Sequence, residues 1–120
     1  WPDAYVESCK ESVARYAGRW AKEIKEMCEG KMTDQRALRQ ADMMKIYLAP
    51  WLAEDVARYA ASLTDKPALQ MALLSSLGWH RLGYKHEAVE AVVEKMTLDQ
   101  RLTEEGRHEA VKTLKRLKRQ

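Results

Sequence analysis

Phenylalanine is absent from this chain, and its 120 residues include only 5 glycines and 3 prolines. So little turn-forming material excludes an all-β fold with many tight turns. No apolar run is long enough to span a bilayer. The longest charge-free stretch, Pro67 to His80, is interrupted by Gln70, Ser75, Ser76 and Gly78, where a membrane helix needs about 20 predominantly apolar residues. No Gly-rich turn precedes a helical pattern, so a phosphate loop is missing, and no serine stands in a nucleophile elbow. Residues 85–120 carry no aromatic side chain, which removes the stacking platform that single-stranded nucleic acids use.

Cysteine is scarce too. Cys9 and Cys28 are compatible with one disulfide in an oxidising compartment or with two thiols in the cytosol. On one unbroken helix they would stand about 28 Å apart, so an intrachain bond requires the helix to break, with Gly18 the obvious weak point. Core thiols and an intermolecular link are the alternatives. The first residue is Trp1 rather than Met, as removal of a secretory signal or a trimmed boundary would leave. A periplasmic or secreted (bacterial-type) location is expected ahead of a cytoplasmic one.

What is present is helical periodicity. Asp3 as N-cap begins a stripe of Val6, Cys9, Val13, Tyr16, Ala17, Trp20, Ile24 and Met27, which predicts a helix over 3–29 ended by Gly30. Thr33 caps a second helix carrying Leu38, Ala41, Met44 and Leu48, halted at Pro50. A third helix runs from Trp51 to Leu63, with Leu52, Val56, Tyr59, Ala60 and Leu63 inward. After the turn at Thr64–Pro67, the charge-free segment predicts a central helix over 67–82, buried on nearly all sides and capped by Gly83. The next helix, 85–96, is expected to bury Ala88, Val92 and Met96, flanked by Val89 and Ala91. Thr97-Leu98-Asp99-Gln100 fits a capping box, so a last helix should begin there with Leu98, Leu102, Gly106, Ala110, Leu114 and Leu117 as its stripe, and Gly106 is either a close-packing point, the favoured reading, or a break. The fold expected is all-α: five to six helices in a compact bundle or stacked hairpins, helix 67–82 central, forming one domain over 1–120. Short connections predict antiparallel sequential neighbours.

Leu74-x-x-Leu77-Gly78 followed by Gly83-Tyr84-x-x-x-Ala88 resembles one tetratricopeptide unit, although Leu74 stands where that family has Trp and no closing proline follows. The resemblance covers residues 74–88 only, has no second copy, and implies a helical hairpin with at most a peptide-binding groove.

Reactive groups are thinly spread. Glu105-x-x-His108 has the helical spacing of a di-iron ligand pair, but such a site needs a second motif and two further glutamates. His80 and His86 add no zinc-ligand spacing to Cys9 and Cys28. Glu54–Asp55 and Glu104–Glu105 are sequence neighbours that point about 100° apart on a helix. No catalytic, metal or cofactor residue is assigned, and a non-enzyme is expected.

Charge is the one asymmetric feature. Net charge is +3, yet residues 112–120 hold Lys112, Lys115, Arg116, Lys118 and Arg119 with no acid, leaving the remainder at −2. The expected function is a non-catalytic, protein-binding helical module: an adaptor, an inhibitor or immunity-type protein, or a secretion accessory. Trp1 and Trp51 are its candidate exposed anchors, and the five basic residues are further candidate contacts. A nucleic acid or anionic surface bound through the basic C-terminal end is the alternative. A bundle enclosing an apolar ligand is a third.

Overall fold

A computed structural model describes residues 20–48, 50–79 and 87–119. Among these residues there are six α-helices and no strand: α1 over residues 20–28, α2 (Asp34–Tyr47), α3 (Ala53–Ser62), α4 (Pro67–Trp79), α5 (Glu87–Thr97) and α6 (Glu104–Arg119). A 3-10 turn, Pro50–Leu52, leads into α3. The expected helix over 3–19, with Trp1 and Cys9, and the segment holding His80, Gly83, Tyr84 and His86 lie outside the described residues.

Local chemistry sets the boundaries. Gly30 adopts φ 75°, a left-handed cap natural to glycine. The Lys31 N–H then reaches back to the Glu26 carbonyl at 3.0 Å, closing α1 in a Schellman-type turn. Thr33 caps α2, its hydroxyl accepting from the Arg36 N–H at 3.3 Å. Pro67 opens α4 at the position where a missing N–H costs nothing.

α4 is central. It packs on α2, α3 and α6, while α3 and α6 also hold α5 between them. Among the described residues α4 and α5 do not pack on each other, nor do α3 and α6, so these four helices form a ring in the order α3, α4, α6, α5. Directions follow from pairwise contacts. Lys66 reaches Asp34, and Ser76 reaches Ala41, so α2 and α4 run parallel. Gly106 lies against Gln70, Thr113 against Leu74, and Arg116 against Gly78, so α4 and α6 run parallel too. α2, α4 and α6 thus make one layer, and α3 and α5 lie in the other. α1 joins that second layer through Cys28, which shares a cleft with Leu52, Asp55 and Tyr59. The molecule is a stack of helical hairpins, as one of the two expected architectures has it. Its radius of gyration of 14.4 Å and extents of 48 × 31 × 18 Å suit such a stack.

Ile24, Met27, Met44, Leu73, Leu74, Leu77, Val89, Val93 and Met96 are fully buried between the layers. Buried polar side chains tie α4 to each neighbour. Gln70 donates to the Ala60 carbonyl of α3 at 2.9 Å, Ser76 donates to the Ala41 carbonyl of α2, and Thr113 of α6 donates to the Leu74 carbonyl at 2.9 Å. Close approach of α4 and α6 favours glycine: a Cβ on Gly106 would stand 3.0 Å from Gln70 Oε1, and one on Gly78 would stand 3.1 Å from the Arg116 side chain, so either side chain would have to give way by a few tenths of an ångström.

Several sequence expectations are corrected. The last helix does not begin at Thr97. The Asp99 carboxylate takes the Arg101 N–H at 3.0 Å and its guanidinium at 2.9 Å, forming a turn, while the Thr97 hydroxyl bonds back to Glu94. Thr103 is the cap instead, accepting from the Gly106 N–H at 3.0 Å. Leu98, taken as inward, therefore sits in a connection and is 76% exposed. α5 is turned by about one residue from the expected face: Val89, Val93 and Met96 are buried and Ala88 is exposed, which puts more branched apolar surface in the core. On α2, Ala37 is buried and Leu38 faces outward, because small side chains let α2 come close to the rest. α4 is not covered on all sides: Ala68 is exposed and Met71, Ala72 and Ser75 are half-buried. Sequential helices are not always neighbours either. The tetratricopeptide resemblance pairs α4 with α5, whereas the hairpins are α3–α4 and α5–α6.

Leu77→Ala should destabilise the chain by about 2–5 kcal/mol through loss of buried area and a cavity. Leu98→Ala should change stability by about 0.5 kcal/mol or less. Urea denaturation of the two variants checks both, and a large loss at Leu98 would contradict the observed start of α6.

Candidate partner-binding surface

Among the described residues, two clefts and one exposed aromatic are surface features that carry chemistry. A cleft of about 410 Å³ lies between the end of α1 and the outer side of α3, lined by Lys25, Cys28, Glu29, Leu52, Asp55, Arg58, Tyr59 and Ser62. Its charges are balanced, and part of them is satisfied locally: Arg58 pairs with Glu54 at 3.3 Å, and Glu29 with Lys31 at 2.8 Å. Burial, with the carboxylates of Asp55 and Glu29 beside it, pushes the free Cys28 thiol up from 9.0 to about 12. A nucleophilic cysteine needs the opposite surroundings, a cation or helix N-terminus that holds the thiolate. Burial also raises Tyr59 above its ordinary value. Both groups are therefore uncharged at neutral pH, and the cleft floor is apolar.

The second cleft, about 470 Å³, runs between α4 and α6 and is lined by Met71, Glu104, Glu105, His108, Glu109 and Lys112. Glu105 and His108 are both exposed, on the polar face that the sequence assigns them. Among the described residues no group of three or more His, Cys, Asp or Glu side chains is placed to hold a metal ion.

Trp51 is 63% exposed on the 3-10 turn, while its neighbour Leu52 is buried in the wall of the first cleft. The turn fixes this split: helical spacing directs Leu52 with Val56 and Ala60 to the core, leaving Trp51 outside. Of the basic candidates, Lys112 pairs with Glu109 at 3.1 Å, and Lys115, Lys118 and Arg119 are exposed. Arg116 is half-buried, its aliphatic stem lying against Gly78. Since Ala60 of α3 meets Gln70 and Arg116 meets Gly78, Trp51 and the end of α6 stand at the same end of the stack. Neither cleft was legible in the sequence, because both are made by residues from separate helices.

Comparison with known proteins gives no assignment: no protein-family model, curated protein or solved structure matches this chain.

The Cys28 shift predicts an alkaline loss of stability. An unfolded thiol ionises near 9 and the folded one near 12, so ionisation favours the unfolded chain as pH rises between those values. The contribution is fully present below pH 9 and lost towards 12. In a Cys9→Ser background, thermal midpoints should fall from pH 8 to pH 11, and adding Cys28→Ser should flatten that fall. Alkylation of folded Cys28 at pH 8 should be much slower than in urea.

Proposed function

We propose that this chain is a non-catalytic helical module that binds another protein, with Trp51 as the anchor. The observation that carries this reading is the 63% exposure of Trp51 in a molecule whose other described large apolar side chains are mostly buried. Tryptophan supplies large contact area with few rotamers to freeze, and dominates interfaces where it enters a partner's pocket. The neighbouring cleft, with its neutral thiol and phenol and balanced rim charges, offers a partner side chain an uncharged recess. A non-enzymatic role fits the Cys28 environment, which keeps the thiol protonated. Substrate turnover by the purified chain would overturn the proposal.

A second reading has its own support. Lys112, Lys115, Lys118 and Arg119 line the solvent side of the last turns of α6, a placement suited to phosphates of a nucleic acid or an anionic surface. The same cations also complement the C-terminal end of the helix dipole, so the placement is served without any ligand. An enclosed apolar ligand gains nothing from these clefts, which both open to solvent.

Affinity capture from the native source after nuclease treatment separates the readings. Intact chain and a variant with Gln at positions 112, 115, 116, 118 and 119 should retain the same stoichiometric protein, and Trp51→Ala should lose it. Loss on nuclease treatment or with the neutralised end, with Trp51→Ala unaffected, would move the anionic-polymer reading to first place. In that case affinity for duplex DNA should fall with salt at a log–log slope of roughly −0.9 per phosphate contacted.

A further inference from the structure

α6 buries Gly106, Ala110, Thr113 and Leu117. Its opposite face carries Glu104, His108, Val111, Lys115 and Lys118, all exposed. These positions advance by alternate steps of four and three residues and so share one face of the helix. Glu105, Lys112 and Arg119 flank it on one side, a heptad apart.

Charge along this face is divided by end. Glu104 and Glu105 stand in the first turn, Lys118 and Arg119 in the last, with the apolar Val111, 36% exposed, midway between them. None of the ion pairs within the chain among the described residues uses Glu104, Glu105, Lys115, Lys118 or Arg119. Acids early and cations late also suit the helix dipole. The dipole, however, does not call for an apolar residue at the midpoint.

We propose that this face pairs with its own counterpart on a second copy of the chain, α6 against α6, antiparallel about a two-fold axis beside Val111. Positions equidistant from Val111 then face one another. Val111 meets Val111 of the second copy, and Glu104, seven residues before it, faces Lys118, seven after. Glu105 and Arg119, six before and eight after, are about 3 Å out of register along the axis, within reach of their long side chains, and symmetry repeats each pair. Lys115, four residues after Val111, lies near His108, three before it. Lys112 lies near its own counterpart but is already neutralised by Glu109 at 3.1 Å. A parallel pairing would set acid on acid and cation on cation, so the charge pattern selects the antiparallel one. α6 has 16 residues, or about 24 Å of helix. The contact is therefore well below the roughly 1,600 Å² of a standard stable interface, and the dimer is weak and salt-sensitive. Its occupant is distinct from the Trp51 partner.

Sedimentation equilibrium of the whole chain tests this, at about 0.01 M salt, where charges act over about 30 Å, and at 1 M, where they act over about 3 Å. The intact chain should dimerise at low salt and dissociate at high salt. E104K/E105K and K118E/R119E, each alone, should associate about tenfold or more weakly. Their equimolar mixture should recover a dimer, since one copy then offers only cations at the ends of this face and the other only acids. V111R, at an exposed site away from the helix ends, should abolish dimers and decides the matter if a charge-reversed variant unfolds by circular dichroism. An intact chain that stays monomeric at every concentration overturns the proposal, as does a dimer indifferent to both reversals and to V111R. Monomeric intact chain that binds duplex DNA, with binding lost in K118E/R119E, would overturn it in favour of nucleic acid as the occupant of this face.

Discussion

A helix without a single charged side chain has nothing it must keep in water, and this fold depends on that freedom. α4 can be surrounded by α2, α3 and α6 because no ammonium or carboxylate has to be desolvated to do it. Its polar residues are small or neutral and are spent on neighbouring backbones: Gln70 on Ala60, Ser76 on Ala41, with Thr113 returning the contact from α6 to Leu74. Each such bond is worth only about 1 kcal/mol net, but leaving any of these groups buried and unpaired would cost more. The bonds therefore fix the rotation of α4 against each neighbour, and the leucines supply the bulk of the burial.

Charges displaced from the centre are arranged on the outer helices, and this decides what the surface can do. At the first cleft, burial of the thiol, with acids beside it, suppresses ionisation rather than promoting it. Along α6, charge is sorted by end, and the buried stripe of Gly106, Ala110 and Thr113 is narrow enough to leave an entire opposite face to solvent. The exposed Trp51 stands out because most of the described large apolar groups are buried, with Leu98 the one exposed further.

Much of the fold was legible in the sequence because helix signals are local. Thr33, Gly30, Pro67 and the charge-free run act through their own turn of backbone, so their effects could be read without knowing what packs where. Exposure of Trp51 beside Pro50 and the close-packing role of Gly106 were readable for the same reason. The misreadings share a cause: where two faces of a helix are about equally apolar, periodicity cannot choose between them. Ala88 and Val92 compete with Val89 and Val93, and Leu38 competes with Ala37. The capping box at Thr97 failed because Thr97 is the last residue of α5 and its hydroxyl donates back to the Glu94 carbonyl.

By itself, then, the sequence determined that the chain is helical, where most helices begin and end, that α4 lies at the centre, and that α6 ends in cations. These are consequences of backbone propensity, capping and desolvation cost, which act over a few residues. Only the tertiary structure decided that α2, α4 and α6 run parallel in one layer, that α4 and α5 are not neighbours, and that Cys28 lies beside Asp55 and Tyr59. Those outcomes depend on which surfaces bury the most area together while satisfying every enclosed polar group. That is a property of all the helices at once.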